Sequence, residues 1–104
     1  MSSSERVAMR RSYARFQVEN ASGILNDGQS ERVFLIKDIS ALGMGLVTDN
    51  PLEHFKVMRF EIKPNFFLRT GASRQGKVVW CNKIKDGLWE AGVDFGVGNE
   101  LEFV

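Results

Sequence analysis

Three groups of residues in this chain have side chains capable of chemistry. The first is Arg10-Arg11-Ser12-Tyr13-Ala14-Arg15, in which Arg11 and Arg15 form an R-x-x-x-R spacing. A guanidinium presents a planar fork of donors that matches phosphate oxygens and the acceptor edge of guanine. On an extended or loosely wound segment, two such groups can converge on one anion. The spacing alone has little specificity, since Arg6 and Arg10 repeat it. The second group is Asp38-Ile39-Ser40-Ala41-Leu42-Gly43, followed by Met44-Gly45-Leu46. Asp38 can accept from the N1–H and N2–H of a guanine, and Ser40 offers a hydroxyl. Gly43 and Gly45 have no Cβ, so a ligand or a neighbouring strand can come close. An ordinary Asp/Ser-capped turn would use the same residues. The third group is Gly76-Lys77-Val78-Val79-Trp80, with Leu88-Trp89-Glu90-Ala91-Gly92-Val93-Asp94-Phe95 behind it. Trp80 is either a flat face for stacking a base or a core side chain.

The elements that must position these groups have a period of two rather than 3.6. Met58, Phe60 and Ile62 alternate with Arg59, Glu61 and Lys63; Trp89, Ala91, Val93 and Phe95 alternate with Glu90, Gly92 and Asp94. Such runs put apolar side chains on one sheet face and polar ones on the other. Phe16-Gln17-Val18-Glu19 starts a strand whose alternation slips near Asn20 and continues out of phase at Ala21, Gly23 and Leu25, which predicts a bulge. Val33-Phe34-Leu35-Ile36 is apolar on both faces and predicts a buried strand. Met44 to Thr48 and Lys77 to Cys81 are further strand candidates. Asn26-Asp27-Gly28-Gln29 and Lys85-Asp86-Gly87 are hairpin signals, Gly71 to Gly76 is a third candidate turn, and Pro51 and Pro64 mark loops. Short strands at this spacing predict a small antiparallel barrel or sandwich. A turn or two of helix fits Ser4 to Tyr13.

Length and composition set the limits. With 104 residues, 43% hydrophobic and 26% charged, the chain makes one domain with one core. Its net charge of +1 hides an asymmetry. Residues 1–15 hold four arginines against Glu5 alone, while residues 16–104 carry 10 basic and 12 acidic groups. We therefore divide the chain into an Arg-rich leader, residues 1–15, and a body, residues 16–104. No apolar run is long enough to span a membrane, and the N-terminus has no apolar signal segment. The single cysteine, Cys81, excludes an internal disulfide and a multi-cysteine zinc site. These features together predict a cytoplasmic location.

In this order, R-x-x-x-R at Arg11/Arg15, D-x-S-x-x-G at Asp38/Ser40/Gly43, a G-x-V-x-W strand ending at Trp80 and a G-V-x-F strand ending at Phe95 resemble the PilZ domain over roughly residues 8–96. The resemblance implies an all-β fold, a six-stranded antiparallel β-barrel with a flexible leader, that binds the bacterial second messenger cyclic di-GMP. It implies that Arg11 and Arg15 grip phosphates and the guanine acceptor edge. Asp38 and Ser40 would contact a guanine, and Gly43 would keep the approach open. Trp80 joins the expected ligand-binding set. Arg10 joins it as well, either solvated or stacked on the guanine of a second ligand molecule. Many members of the family carry a helix after the last strand; none is legible after Phe95.

The expected function is thus a non-catalytic cyclic di-GMP receptor. Its leader orders on the ligand and signals to an unidentified protein partner, with no cofactor or metal, no DNA or RNA and no membrane insertion. Two alternatives stand beside it: a PilZ-like adaptor that binds protein without nucleotide, and a small barrel that binds single-stranded nucleic acid. An enzyme would need a nucleophile beside a base. The only histidine, His54, lies in a loop segment, and no metal-protease or phosphate-loop motif is present.

Overall fold

Period-two patterning becomes seven strands across residues 15–103, the part of the chain that the structure, a computed structural model, describes. They are β1 (Phe16–Gln17), β2 (Ser22–Asn26), β3 (Glu31–Ser40), β4 (Gly43–Thr48), β5 (Val57–Ile62), β6 (Ala72–Lys85) and β7 (Leu88–Asp94). Every pairing is antiparallel. Strands β2, β3, β4, β7, β6 and β5 pair in turn, and β5 returns to β2, so six strands close on themselves as expected. The short β1 is additional. It pairs with β3 at Phe16↔Ile39 and Gln17↔Asp38, on the edge of β3 that β2 occupies further back. No helix occurs among the described residues, and none there is long and apolar enough to cross a membrane. The helical segment expected over residues 4–13 lies outside the described residues, as do Arg10 and Arg11.

Inward-facing side chains fill the barrel. Phe34, Phe60, Leu25, Ile39, Met44, Leu46, Ile62 and Val78 are all fully buried. Burying each side chain of this kind stabilises the fold by roughly 1.5–3 kcal/mol. Phe34 and Phe60 meet edge to face with centroids 5.8 Å apart, a geometry their ring quadrupoles favour.

Three irregularities decide which residues reach the outside. The slip expected near Asn20 is present: Asn20 takes φ +56°, a left-handed conformation that asparagine tolerates better than most residues. Inward positions change from Phe16 and Val18 to Ala21, Gly23 and Leu25 across it. A second break falls in β3, between Ile36 and Asp38, and a third in β6, between Val78 and Trp80. Each of the latter two inserts one residue, which re-aims the side chains that follow it. Ile36 and Ile39 therefore both point inward, and Asp38 points out.

Two expectations are corrected. Val33 and Leu35 are not buried; they are 62% and 57% exposed, while Phe34 and Ile36 between and beside them face the core. An antiparallel barrel this small has only one interior, so an apolar run in a strand leaves half its side chains in water. The segment Gly71 to Gly76 is not a turn. Only Gly71, at φ +68°, belongs to one; β6 starts at Ala72, and Gly76 is buried in that strand. A Cβ at Gly76 would stand 2.5 Å from Cγ1 of Val93, so glycine there lets strands pack.

One end of the barrel is closed by the segment that follows β7. The Phe95 N–H donates to the Leu42 carbonyl (2.8 Å) and the Leu101 N–H to the Ala41 carbonyl (2.7 Å), which ties the tail across the β3–β4 turn. Leu68 and Leu101 are buried there. Phe16 stacks on Phe67 at 4.9 Å and meets Phe103 edge-on at 5.5 Å. The residue that follows Arg15 is thus held between the β5–β6 loop and the tail.

Candidate functional site

Strand register builds a row of four residues across the outer face. Asp38 on β3 pairs with Gly45 on β4, Gly45 pairs with Gly92 on β7, and Gly92 pairs with Trp80 on β6. The two bulges aim the outer members, Asp38 and Trp80, to the same side. Between them lie two glycines, so the middle of the row has no side chains. The result is a shallow floor with a carboxylate at one end and an indole at the other.

Both end groups depend on the floor. Trp80, 38% exposed, covers Gly92 so closely that a Cβ there would lie 2.1 Å from the indole Nε1 and 2.5 Å from Cε2. Any side chain at 92 would lift the ring. The Asp38 carboxylate lies over Gly45 in the same manner: a Cβ at 45 would lie 2.9 Å from Oδ2. The Gly45 N–H donates to Asp38 Oδ1 (3.1 Å). That same oxygen accepts from the Arg15 guanidinium in an ion pair. Oδ2 accepts no hydrogen bond among the described residues, so the carboxylate keeps one acceptor oxygen for another donor. The Arg15 side chain is 60% exposed, so its remaining donors face solvent.

The other expected residues occupy less exposed positions. Ser40 is buried, and its hydroxyl donates to the Gly43 carbonyl (3.3 Å) across the tight β3–β4 turn. Gly43 is buried as well. Its missing Cβ would strike the Val93 carbonyl at 2.3 Å, so this glycine serves the contact between β4 and β7 rather than an open approach. The structure thus brings Arg15, Asp38 and Trp80 to one face. It puts Ser40 and Gly43 in the turn that supports Asp38, and Arg10 and Arg11 lie outside the described residues. Gly92 is the member of the floor that sequence reasoning missed as a site residue. Its signal was present, since a glycine inside an alternating strand often marks a close approach.

Charge around the floor is mixed. Lys37 Nζ donates to Glu90 Oε2 at 2.8 Å, and that bond, with the charge of Glu90, raises the Lys37 ammonium above its ordinary value. Beyond the floor, a cleft of about 270 Å³ is lined by Val57, Lys77, Asp94, Phe95 and Asn99, among others. It contains neither Arg15 nor Asp38 nor Trp80, so these three are on the open face and not in this hollow. Among the described residues, no group of three or more His, Cys, Asp or Glu could hold a metal ion.

Such an arrangement can neutralise an anion with guanidinium, accept from a planar donor edge with Oδ2 and stack a ring on the indole. Residues 9–102 match the family model of the PilZ domain, nearly the whole chain. A search of curated proteins found no match.

Proposed function

The chain belongs to the PilZ domain family, and from that premise we propose that it is a non-catalytic receptor that binds cyclic di-GMP on the outer face of β3, β4, β7 and β6. PilZ domains are in general cyclic di-GMP-binding domains. The observation that carries the reading to this face is the Asp38–Gly45–Gly92–Trp80 row, with Arg15 paired to its acidic end. The ligand is a dianion with two guanines. Arg15, together with Arg11 and Arg10 of the leader, supplies positive forked donors for phosphate oxygens and for guanine O6 and N7. Asp38 Oδ2 supplies the acceptor for guanine N1–H and N2–H. Trp80 supplies a stacking face, and the two glycines let the indole and the carboxylate lie flat against the backbone, where they are held for the ligand. Ser40 and Gly43 act by holding the turn behind Asp38.

Charged hydrogen bonds of this type contribute roughly 1.5–3 kcal/mol each. Ligand arrival redistributes bonds that Arg15 already makes, so the guanidinium passes from Asp38 alone to Asp38 and phosphate together. The leader attached to Arg15 then changes its path, and that change presents a different surface to a protein partner. The size of the shift is limited by the difference in ligand affinity between the two leader states.

Calorimetric titration of the 104-residue chain tests the proposal. Cyclic di-GMP binds, GMP and GTP bind far more weakly, and Arg15→Ala and Arg11→Ala each lower affinity while the circular dichroism spectrum stays unchanged. Absence of heat from cyclic di-GMP, or equal binding of single-stranded oligonucleotides, overturns it.

A further inference from the structure

Away from the floor, β3 and its neighbours expose an apolar patch. Val33 (62%) and Leu35 (57%) stand outward on β3. Ile24 on β2 pairs with Val33, Val47 on β4 pairs with Leu35, and both alternate with buried neighbours and so face outward too. Because the sheet closes on itself, the long strands that carry this patch have both edges paired. A partner must therefore dock through side chains and not by adding a strand.

The charges around the patch have an order. Outward along β3 run Glu31, Val33, Leu35 and then Lys37: acid, two apolar residues, base. At the end of β5, Glu61 and, just past the strand, Lys63 are exposed on either side of the buried Ile62. Phe34, Gly23 and Ile62 lie in one cross-strand row. A two-fold axis over that row, in the plane of contact and perpendicular to the strands, maps each strand onto its own copy in the opposite direction. Val33 then meets Leu35 of the second copy. Glu61 meets Lys63, and Glu31 meets Lys37. Among the described residues, Glu31, Glu61 and Lys63 have no ion-pair partner within the chain, while Lys37 already pairs with Glu90. Packed sheets cross at about 30°. Glu31 and Lys37 stand about 10 Å from the axis at ordinary strand rise. The crossing displaces them sideways by about 5 Å, which long side chains can span.

We infer that this chain self-associates through the outer face of β2, β3 and β5, with a second copy antiparallel over Val33 and Leu35. An interface between identical faces needs such self-complementarity, and an apolar centre with a polar rim is the usual anatomy of one. This inference does not rest on nucleotide binding. It uses none of the floor residues.

Sedimentation equilibrium of the 104-residue chain up to about 1 mM, where even a weak dimer is populated, tests it. A concentration-dependent dimer is expected. Leu35→Glu abolishes it with an unchanged circular dichroism spectrum, since this side chain supplies no core. Glu61→Lys faces like charges and weakens association about tenfold, and Glu61→Lys with Lys63→Glu restores it. A chain that stays monomeric throughout overturns the inference and leaves the patch to another protein. A dimer that survives Leu35→Glu, or a double charge exchange that fails to restore it, overturns it equally.

Discussion

Gly92→Ala tests the floor most directly, because it changes no charged group and no group expected to touch the ligand. The added Cβ would stand 2.1 Å from Trp80 Nε1, 2.5 Å from Cε2 and 2.7 Å from Cδ1. Ordinary contact begins at 3.4 Å, so the indole must move by more than an ångström. A stacked base contributes about 1–3 kcal/mol, and a platform displaced that far loses most of it. The expected loss of cyclic di-GMP affinity is about 5- to 150-fold. Folding stability falls far less, since Trp80 is already 38% exposed and alanine suits a strand better than glycine. Calorimetry reads the affinity. In a Trp89→Phe background, the emission of Trp80 reports the ring and shifts as the indole leaves the backbone. Trp80→Ala gives a comparable loss, and adding Gly92→Ala to it costs nothing more, because the two changes act through one contact. Wild-type affinity in Gly92→Ala with unshifted Trp80 emission would refute this account of the site.

Further outcomes follow from the same geometry. Arg15→Ala lowers cyclic di-GMP affinity about 10- to 150-fold by calorimetry, with little change in thermal midpoint, because an ion pair with one partner 60% exposed contributes little to folding. Ser40→Ala removes a buried hydroxyl bonded to the Gly43 carbonyl and costs about 1 kcal/mol, seen as a thermal midpoint lower by about 5 °C. Acid stability is set partly by Asp27, whose carboxylate accepts from the Ser30 and Gln29 N–H groups in the β2–β3 turn. These bonds, Ser30 first, hold its pKa below the ordinary 3.8. A depressed value in the folded state means that the stabilisation is complete above 3.8 and is lost as pH falls through the lower folded value. Thermal midpoints from about pH 5 to pH 2 should therefore fall less steeply in Asp27→Asn than in wild type.

Much of the scaffold was legible because its signals are local. Alternation at Met58–Ile62 and Trp89–Phe95, the phase slip at Asn20 and the Asp27-Gly28 and Asp86-Gly87 turns all act within a few residues. The two bulges beside Asp38 and Trp80 were hidden for a physical reason. Lys37 and Val79 each sit in a strand where an extra residue does not interrupt an obvious alternation, so only the register against β4 and β7 exposes them. Val33 and Leu35 misled in the opposite sense: strand propensity favours branched and apolar residues on either face, and composition alone cannot say which face is wet. The alignment of Asp38 with Trp80 across Gly45 and Gly92 needs three strand pairings, β3–β4, β4–β7 and β7–β6, which no window of sequence contains. Asp38 and Arg15 were named from their chemistry, and β1 explains their contact, since Gln17 pairs with Asp38 and Arg15 lies two residues before it.

Phe16 and Phe103 lie in ring contact although almost the whole described chain separates them. Polypeptide joined ahead of Arg15 and polypeptide joined behind Phe103 would therefore depart from neighbouring points. A short bridge could splice these points, and the cut could be moved to Asp86-Gly87, where Gly87 turns at φ +78° with nothing packed against it. Such a circular permutant would keep every rung of the ladder while tethering Arg15 at both ends, separating what the guanidinium does from what the residues ahead of it do.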